Sequence, residues 1–355
     1  MLSAVSLATA QAQLLKIDSP GEKVRKIATA RHVKPVETID VPFEVADFFI
    51  PPLRCDEDGN LYLNTDQFGT EGIRKLSRTG KRLTLFNPGS DPDHLKVSDG
   101  VYFSLDGEGN LYQLIFLSDQ IDRYIFEYKT EGTLKSKIKL ETGFPWVPAA
   151  IAPFSSGGYL VTGQEYDRDP SQPMWPVTAV LSSKGTLLRE VKLEDDESIR
   201  GMAEAGDRRV VSPKNPTSNR AVGFSQMEAS VDGNVYLMRW LSPAILYVIS
   251  PGGEVLRRFS VDPGDPDYTV MGMHISGNRI AMLFVQAQIR KNLIKVTNLE
   301  GHEITSYEEL GANEMSPPQT RLGASLACYT HDPEQFIFLE SGADDKLQFV
   351  IATPW

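Results

Sequence analysis

A pair of tight turns that returns at near-fixed spacing constrains this chain more than any other feature. Residues 55–81 read CDEDGNLYLNTDQFGTEGIRKLSRTGK. Asp58-Gly59-Asn60 is followed at once by Leu61-Tyr62-Leu63, and Arg78-Thr79-Gly80-Lys81 closes the alternating run Ile73-Arg74-Lys75-Leu76. Asp-Gly turns supply the positive φ that short hairpins need, so the stretch reads as a four-stranded meander. A meander of this size cannot bury both faces alone, and the pattern has to recur for the chain to fold.

It recurs. Asp106–Asn110 with Thr130–Gly132, Ser155–Gly158 with Ser182–Gly185, Asp232–Asn234 with Ser250–Gly253, and Ser276–Asn278 with Asn298–Gly301 repeat the pair of turns. Within a copy, first turn and second-turn glycine are 19 to 27 residues apart. Each copy ends in an alternating run such as Arg82–Phe86 or Leu134–Ile138, the period-two mark of a strand with one buried face. A sixth copy starts at Asp332-Pro333-Glu334 and runs out at Trp355 before its second turn, so it lacks a fourth strand. The alternating Val36–Val41 segment supplies that strand. A radial array must close or leave its sheet edges bare, so the N-terminal strand is expected beside Leu347–Ala352.

The expected fold is therefore all-β, a six-bladed β-propeller of four-stranded antiparallel blades with the N-terminal strand closing the last blade. Residues 35–355 form this single domain, residues 13–34 a lead-in, and residues 194–226 a long insertion between blades three and four. Segments such as DEDGNLY with IRKLSRTGK, and DGNVY with LYVISPGGE, resemble the NHL-type repeat and, more broadly, TolB-like propellers. The resemblance covers about residues 35 to 355 and implies architecture, since such propellers include lyases, hydrolases, receptors and scaffolds.

Composition narrows the partners. The 41% hydrophobic and 23% charged content is that of a globular protein with a sizeable core. A net charge of −11 argues against a nucleic-acid groove, which needs clustered Lys and Arg. No run approaches the roughly 18 apolar residues of a membrane span, and a monomer is expected. Residues 1–12, with Ala10-Gln11-Ala12, resemble the end of a truncated secretory signal, so a secreted or periplasmic protein is expected. The only two cysteines, Cys55 and Cys328, precede equivalent turns of the first and last repeats and are expected to be neighbours across the seam. Two buried free thiols are expected there, a seam-closing disulfide being the alternative.

The longer loops gather on one face around the channel and are the default binding surface. Glu165, Tyr166, Asp167 and Arg168 run on to Trp175 in a loop rich in carboxylates and aromatics. Arg123, the pair Arg239-Trp240, His274 near the inner strand of blade five, and Arg290 complete the candidate ligand-binding set. An Arg–Trp pair can take an anionic or sugar-like ligand by hydrogen bonding and stacking, and can equally form a salt-bridged rim. The 194–226 insertion is either a loosely ordered connection or a lid, the former preferred. The expected function is binding of a small molecule or protein, without catalysis, metal or other cofactor. The alternative is a metal-dependent hydrolase or lyase resembling the gluconolactonase-type propellers, with a divalent ion in the channel. That resemblance is incomplete, because blade one begins Ile50-Pro51-Pro52-Leu53-Arg54 where the family has an acidic Gly-Glu-Gly-Pro start. The five histidines are scattered at 32, 94, 274, 302 and 331, short of a lyase zinc set.

Overall fold

The recurring turns are one object built repeatedly. In the first, the Gly59 amide donates to the Asp56 carbonyl at 2.9 Å and the Asp56 amide to the Asn60 carbonyl at 3.1 Å. Gly59 sits at φ 76°, where a side chain would be strained. The Asp56 carboxylate accepts from the Asn60 amide at 2.9 Å, the Asn60 side chain at 3.0 Å and the Tyr62 hydroxyl at 3.0 Å. The Asp-x-x-Gly-Asn-x-Tyr spacing is thus a folding instruction, and Asp106, Asn110 and Tyr112 repeat it. The same backbone pair of bonds closes Phe154–Gly158 and Ser230–Asn234. A matching pair closes the second turns at Ser77, Lys129, Ser182, Ser250 and Asn298.

The computed structural model describes residues 31–42, 53–64, 66, 68–118, 122–165, 175–207, 210–211, 225–286, 291–309, 325–341 and 346–355. Strand β1 (Arg31–Asp40) comes first. β2 (Leu53–Cys55), β3 (Leu61–Asn64), β4 (Ile73–Leu76) and β5 (Arg82–Phe86) form an antiparallel sheet. In the second sheet β6 (Val97–Asp99) and β7 (Phe103–Leu105) share one place beside β8 (Leu111–Leu117), followed by β9 (Arg123–Tyr128) and β10 (Leu134–Lys139). β11 (Trp146–Pro153), β12 (Tyr159–Glu165), β13 (Trp175–Leu181) and β14 (Leu187–Glu190) make the third. Helix α1 (Asp196–Glu204) precedes the fourth, of β15 (Gln226–Ala229), β16 (Val235–Arg239), β17 (Ala244–Ile249) and β18 (Val255–Val261). β19 (Thr269–Ser276), β20 (Arg279–Gln286), β21 (Lys291–Asn298), β22 (Glu303–Glu309), β23 (Ser325–His331), β24 (Glu334–Ser341) and β25 (Leu347–Pro354) follow. With β1 they form one eight-stranded sheet of order β19-β20-β21-β22-β1-β25-β24-β23.

β1 explains that sheet. It runs antiparallel to β25, from Val33 opposite Pro354 to Asp40 opposite Gln348, and parallel to β22 over Arg31–Val33. The N-terminal strand thus lies beside the C-terminal one as the sequence predicts. It starts earlier than the alternation suggests, because a bulge between Pro35 and Glu37 shifts the register. Proline cannot donate to the ladder, and the bulge leaves Val36 exposed. The parallel contact with β22 joins two meanders edge to edge and was not visible in the pattern.

Each sheet packs on the next through its own apolar cluster. Tyr62, Ile73 and Phe86 meet Phe103, Ile115 and Tyr128 between the first and second sheets. Similar clusters join second to third, third to fourth, and fourth to β19–β21. Val33, Ile294 and Tyr307 meet Tyr329, Phe336 and Val350 within the eight-stranded sheet. Leu326's neighbours Ala327 and Cys328, with Ile337, Phe349 and Ile351, then pack against Leu53, Leu61, Leu63 and Leu76 of the first sheet, which returns the cycle to its start. The first strands β2, β7, β11, β15, β19 and β23 likewise touch in sequence and back to β2. The result is a propeller-like all-β arrangement of four-stranded antiparallel sheets around an axis. No helix among the described residues is long and apolar enough to cross a membrane.

The seam corrects one expectation. Cys55 and Cys328 are not free thiols; they form a disulfide between β2 and β23 with Cα atoms 5.4 Å apart. The reason is geometric: these positions face each other on adjacent first strands, at a separation a disulfide spans without backbone movement. The bond ties together segments 273 residues apart in sequence. Replacing both residues with serine is expected to reduce stability by about 2–4 kcal/mol, read from urea unfolding curves of the oxidised parent and the variant. Coincident curves would contradict a stabilising bond.

The described part of the 194–226 insertion contains helix α1 and a small apolar cluster. Ile199 and Ala203 of α1 pack with Val210, Val211, Met202 and Leu241. An amphipathic turn pattern, with Asp196 and Glu197 at the positive end of the helix dipole, accounts for a helix there.

Candidate functional site

Antiparallel strands alternate direction, so both tight turns of a sheet lie at one end and the longer connections at the other. At the tight-turn end the first strands enclose a cavity of about 180 Å³. Five of them and the turn after β11 form its wall: Arg54 from β2, Ser104 from β7, Ser155 just after β11, Glu228 from β15, Ser276 from β19 and Tyr329 from β23.

A polar cluster forms one side of this space. Glu228, 9% exposed, accepts from the Gln226 side chain at 3.0 Å and the Ile275 amide at 2.7 Å, and lies 3.2 Å from His274 Nδ1. Burial pushes the Glu228 carboxyl up, but His274, Arg54 and the Ile275 amide outweigh it and hold the group below the usual carboxylate range. His274 Nε2 lies 2.9 Å from the Leu326 carbonyl. Gln226 in turn accepts from the Met273 amide at 3.0 Å. These bonds link the neighbouring first strands β15, β19 and β23 around the axis.

Arg54 is the opposite case. Burial makes its guanidinium easier to deprotonate than a free arginine, an effect the charge of Glu228 opposes. Its one hydrogen bond to the described residues runs from Nη1 to the carbonyl of Leu53, at 2.8 Å, and Nε is buried without a partner. Ser230 Oγ, on the same cavity wall, is also buried without a partner. The repeat explains why. Ser230 stands where Asp56 and Asp106 stand in the first two copies, but in the fourth copy Asp232 holds the turn. Asp232 accepts from the Asn234 amide and the Tyr236 hydroxyl, each at 3.0 Å. The Ser230 side chain is thereby released from the turn.

Ser276 Oγ lies 3.0 Å from His331 Nδ1 and 3.3 Å from Glu57 Oε2. A serine, a histidine and a carboxylate meet, but the carboxylate holds the serine and not the imidazole, so the order needed for nucleophilic catalysis is not formed. Among the described residues no three His, Cys, Asp or Glu side chains are grouped to hold a metal ion.

The residues singled out from the sequence lie in several places. His274 is at the axial cluster. Glu165 and Trp175 face each other across the β12–β13 pair, and the Arg200 guanidinium of α1 covers the Trp175 ring at 3.5 Å. Arg123 opens β9 and lies 4.5 Å from the Phe116 ring centroid. Arg239 has no exposed surface and bonds Asp196 at 2.8 Å, with Ser225 at 3.4 Å and Asp195 at 3.5 Å. Trp240 packs beside the cluster between the fourth sheet and β19–β21. Tyr166, Asp167, Arg168 and Arg290 lie outside the described residues. Arg54, Glu228 and Ser230, which meet at the cavity, were not singled out from the sequence, because they sit inside the repeat and not in a loop.

No family model matches the chain, and no curated protein sequence matches it. Among solved structures it is similar to a protein of unknown function from Dyadobacter fermentans, 12% identical over 91% of this chain and 99% of that one, with a TM-score of 0.51. The PQQ-bound aldose sugar dehydrogenase from Streptomyces coelicolor is 11% identical over 90% of this chain and 98% of that one, at a TM-score of 0.44. A protein of unknown function from Bacteroides caccae is 14% identical over 79% and 94%, at 0.43. At such identities the likeness concerns the fold alone.

Proposed function

We propose that the chain is a six-bladed β-propeller of the NHL-repeat or TolB-like type, secreted or periplasmic, that binds a small molecule in its axial cavity without catalysis or a cofactor. The observation that carries this reading is a cavity on the axis that presents Arg54, Glu228 and several hydroxyls, walled by five of the first strands and by the turn after β11. The six-blade count is supported by the cyclic contacts of those strands and by the return of the apolar clusters to the first sheet. The eight-stranded sheet is then two blades whose outer strands β22 and β1 touch. Export is supported by the disulfide, since such bonds persist in oxidising compartments. The loop-rich face, where α1 covers Trp175, is the second surface this reading assigns, to a larger partner.

Ligand-observed NMR with small neutral, cationic and anionic fragments tests the cavity. Ser155, exposed at the mouth, can be replaced with tryptophan to close it without touching the core. Fragments are expected to bind the parent and to lose binding in Ser155→Trp. No binding in any class, or equal binding to both proteins, overturns the reading. Metal analysis with a lactone and ester hydrolysis screen, with and without chelator, tests the absence of catalysis. A stoichiometric divalent ion with chelator-sensitive turnover would establish the hydrolase alternative.

A further inference from the structure

We infer that the cavity takes a small monocarboxylate, its carboxylate set against the guanidinium of Arg54 with the Ser230 hydroxyl as a further donor; this rests on the axial-cavity reading above. An arginine has five N–H donors, and Arg54 gives only one to a described residue, its own neighbour's carbonyl. Nε is buried and unpartnered, so one edge of the planar fork is unused. An arginine edge matches the two oxygens of a carboxylate, and a buried donor left unmade is costly.

The described carboxylates of the cavity wall do not fill the place. Glu228 is taken by Gln226, Ile275 and His274. Asp56 is taken by Asn60, Tyr62 and Lys75, the last at 3.0 Å. Asp106 is taken by Asn110 and Tyr112. Glu57 leans on Ser276 and the Gly277 amide. Arg54 is thus near negative charge but lacks an acceptor at its Nε edge. Ser230 adds a second unpartnered polar atom to the same wall through the turn substitution described above.

Size and charge narrow the class. At about 180 Å³ the cavity is well below the roughly 300–1,000 Å³ of sites for drug-sized ligands. A ligand of a few heavy atoms fits. The same walls carry Asp56, Glu57, Asp106 and Glu228 against the one guanidinium. Lys75 pairs with Asp56 and His274 lies against Glu228, which reduces the negative field, and within what remains a single negative charge beside Arg54 is repelled less than a dianion such as phosphate.

The test is calorimetric titration of the full-length oxidised protein with acetate, propanoate and lactate, against acetamide and inorganic phosphate. One carboxylate per chain is expected, with the amide and phosphate at least about tenfold weaker. Ser230→Ala is expected to weaken carboxylate binding about tenfold at an unchanged melting temperature. Arg54→Lys, which keeps the charge but loses the planar fork, is expected to weaken it by about tenfold or more. Carboxylates no tighter than acetamide, or binding unaltered in both variants, overturns the inference and leaves water as the partner of Arg54. If fragments blocked by Ser155→Trp still bind while carboxylates show no preference, the ligand class fails and the cavity reading stands. If nothing binds, both fall.

Discussion

A chain lacking residues 1–42 melts far below the full-length protein, by on the order of 10 °C, and a chain lacking only residues 1–30 separates the contribution of β1 from that of the preceding segment. β1 is the only described partner of β25 on its outer side, and it brings Val33, with no exposed surface, into the cluster of Tyr307 and Val350. Val41 and Ile39 join the cluster at the disulfide seam. Burying three aliphatic side chains is worth roughly 1.5–3 kcal/mol each, so their loss is on the order of 5 kcal/mol before any backbone term. Deletion also leaves the β25 edge with unpaired amides and carbonyls, a template for aggregation. Val33→Asp, a point change in the same cluster, is expected to act in the same direction, since it buries a charge without a partner. Differential scanning calorimetry reads both. Unchanged melting in the shorter chain would mean that the ring does not depend on β1.

Arg239→Ala is the second large effect, with an expected loss of about 3–5 kcal/mol. The guanidinium is fully buried between Asp195, Asp196 and Ser225, and Asp195 also accepts from the Tyr247 hydroxyl at 2.5 Å. Without it two adjacent carboxylates lose their countercharge where α1 joins the fourth sheet. The loss should depend on pH. Burial raises the Asp196 carboxyl to about 6, against the opposing pull of Arg239. The folded state therefore holds a proton between pH 4 and 6 that the unfolded state releases, and the stability this gives falls as pH rises through 6. Removing Arg239 raises the folded value further, so the variant is expected to suffer more at pH 8 than at pH 5. Urea denaturation at the two pH values checks this. An equal loss at both would show that the carboxylates are not left ionised in the gap.

Local chemistry decided what could be read beforehand. The meander was legible because its first two turns set an acceptor, a left-handed glycine and a tyrosine at one spacing, as Asp56, Gly59 and Tyr62 and then Asp106, Gly109 and Tyr112 show, and the later copies keep enough turn residues to be matched to them. The pairing of β1 with β25 followed from counting a missing strand. The β22–β1 contact did not, because it depends on how two outer edges meet in space. The adjacency of Cys55 and Cys328 followed from their equivalent places, whereas the bond between them is set by a distance of a few ångströms. For the site, attention went to segments that break the repeat. The cavity residues Arg54, Ser104 and Glu228 instead lie one tier inside it, each two residues before the residue that opens a first turn, as does His274, which touches Glu228. Charged residues at an inward place of a first strand, and a serine where two other copies carry aspartate, were the signals available. Arg239 gave the opposite impression, since an Arg–Trp pair after a strand looks like a rim, and its burial depends on α1 arriving from the insertion.

The most direct test of the axial site is a crystal structure of the oxidised full-length protein grown with lactate. The account predicts six blades around the axis, with the carboxylate seated on the Nε edge of Arg54 within hydrogen-bond distance of Ser230 Oγ. A cavity holding only water on Arg54, with lactate bound elsewhere or not at all, would contradict it.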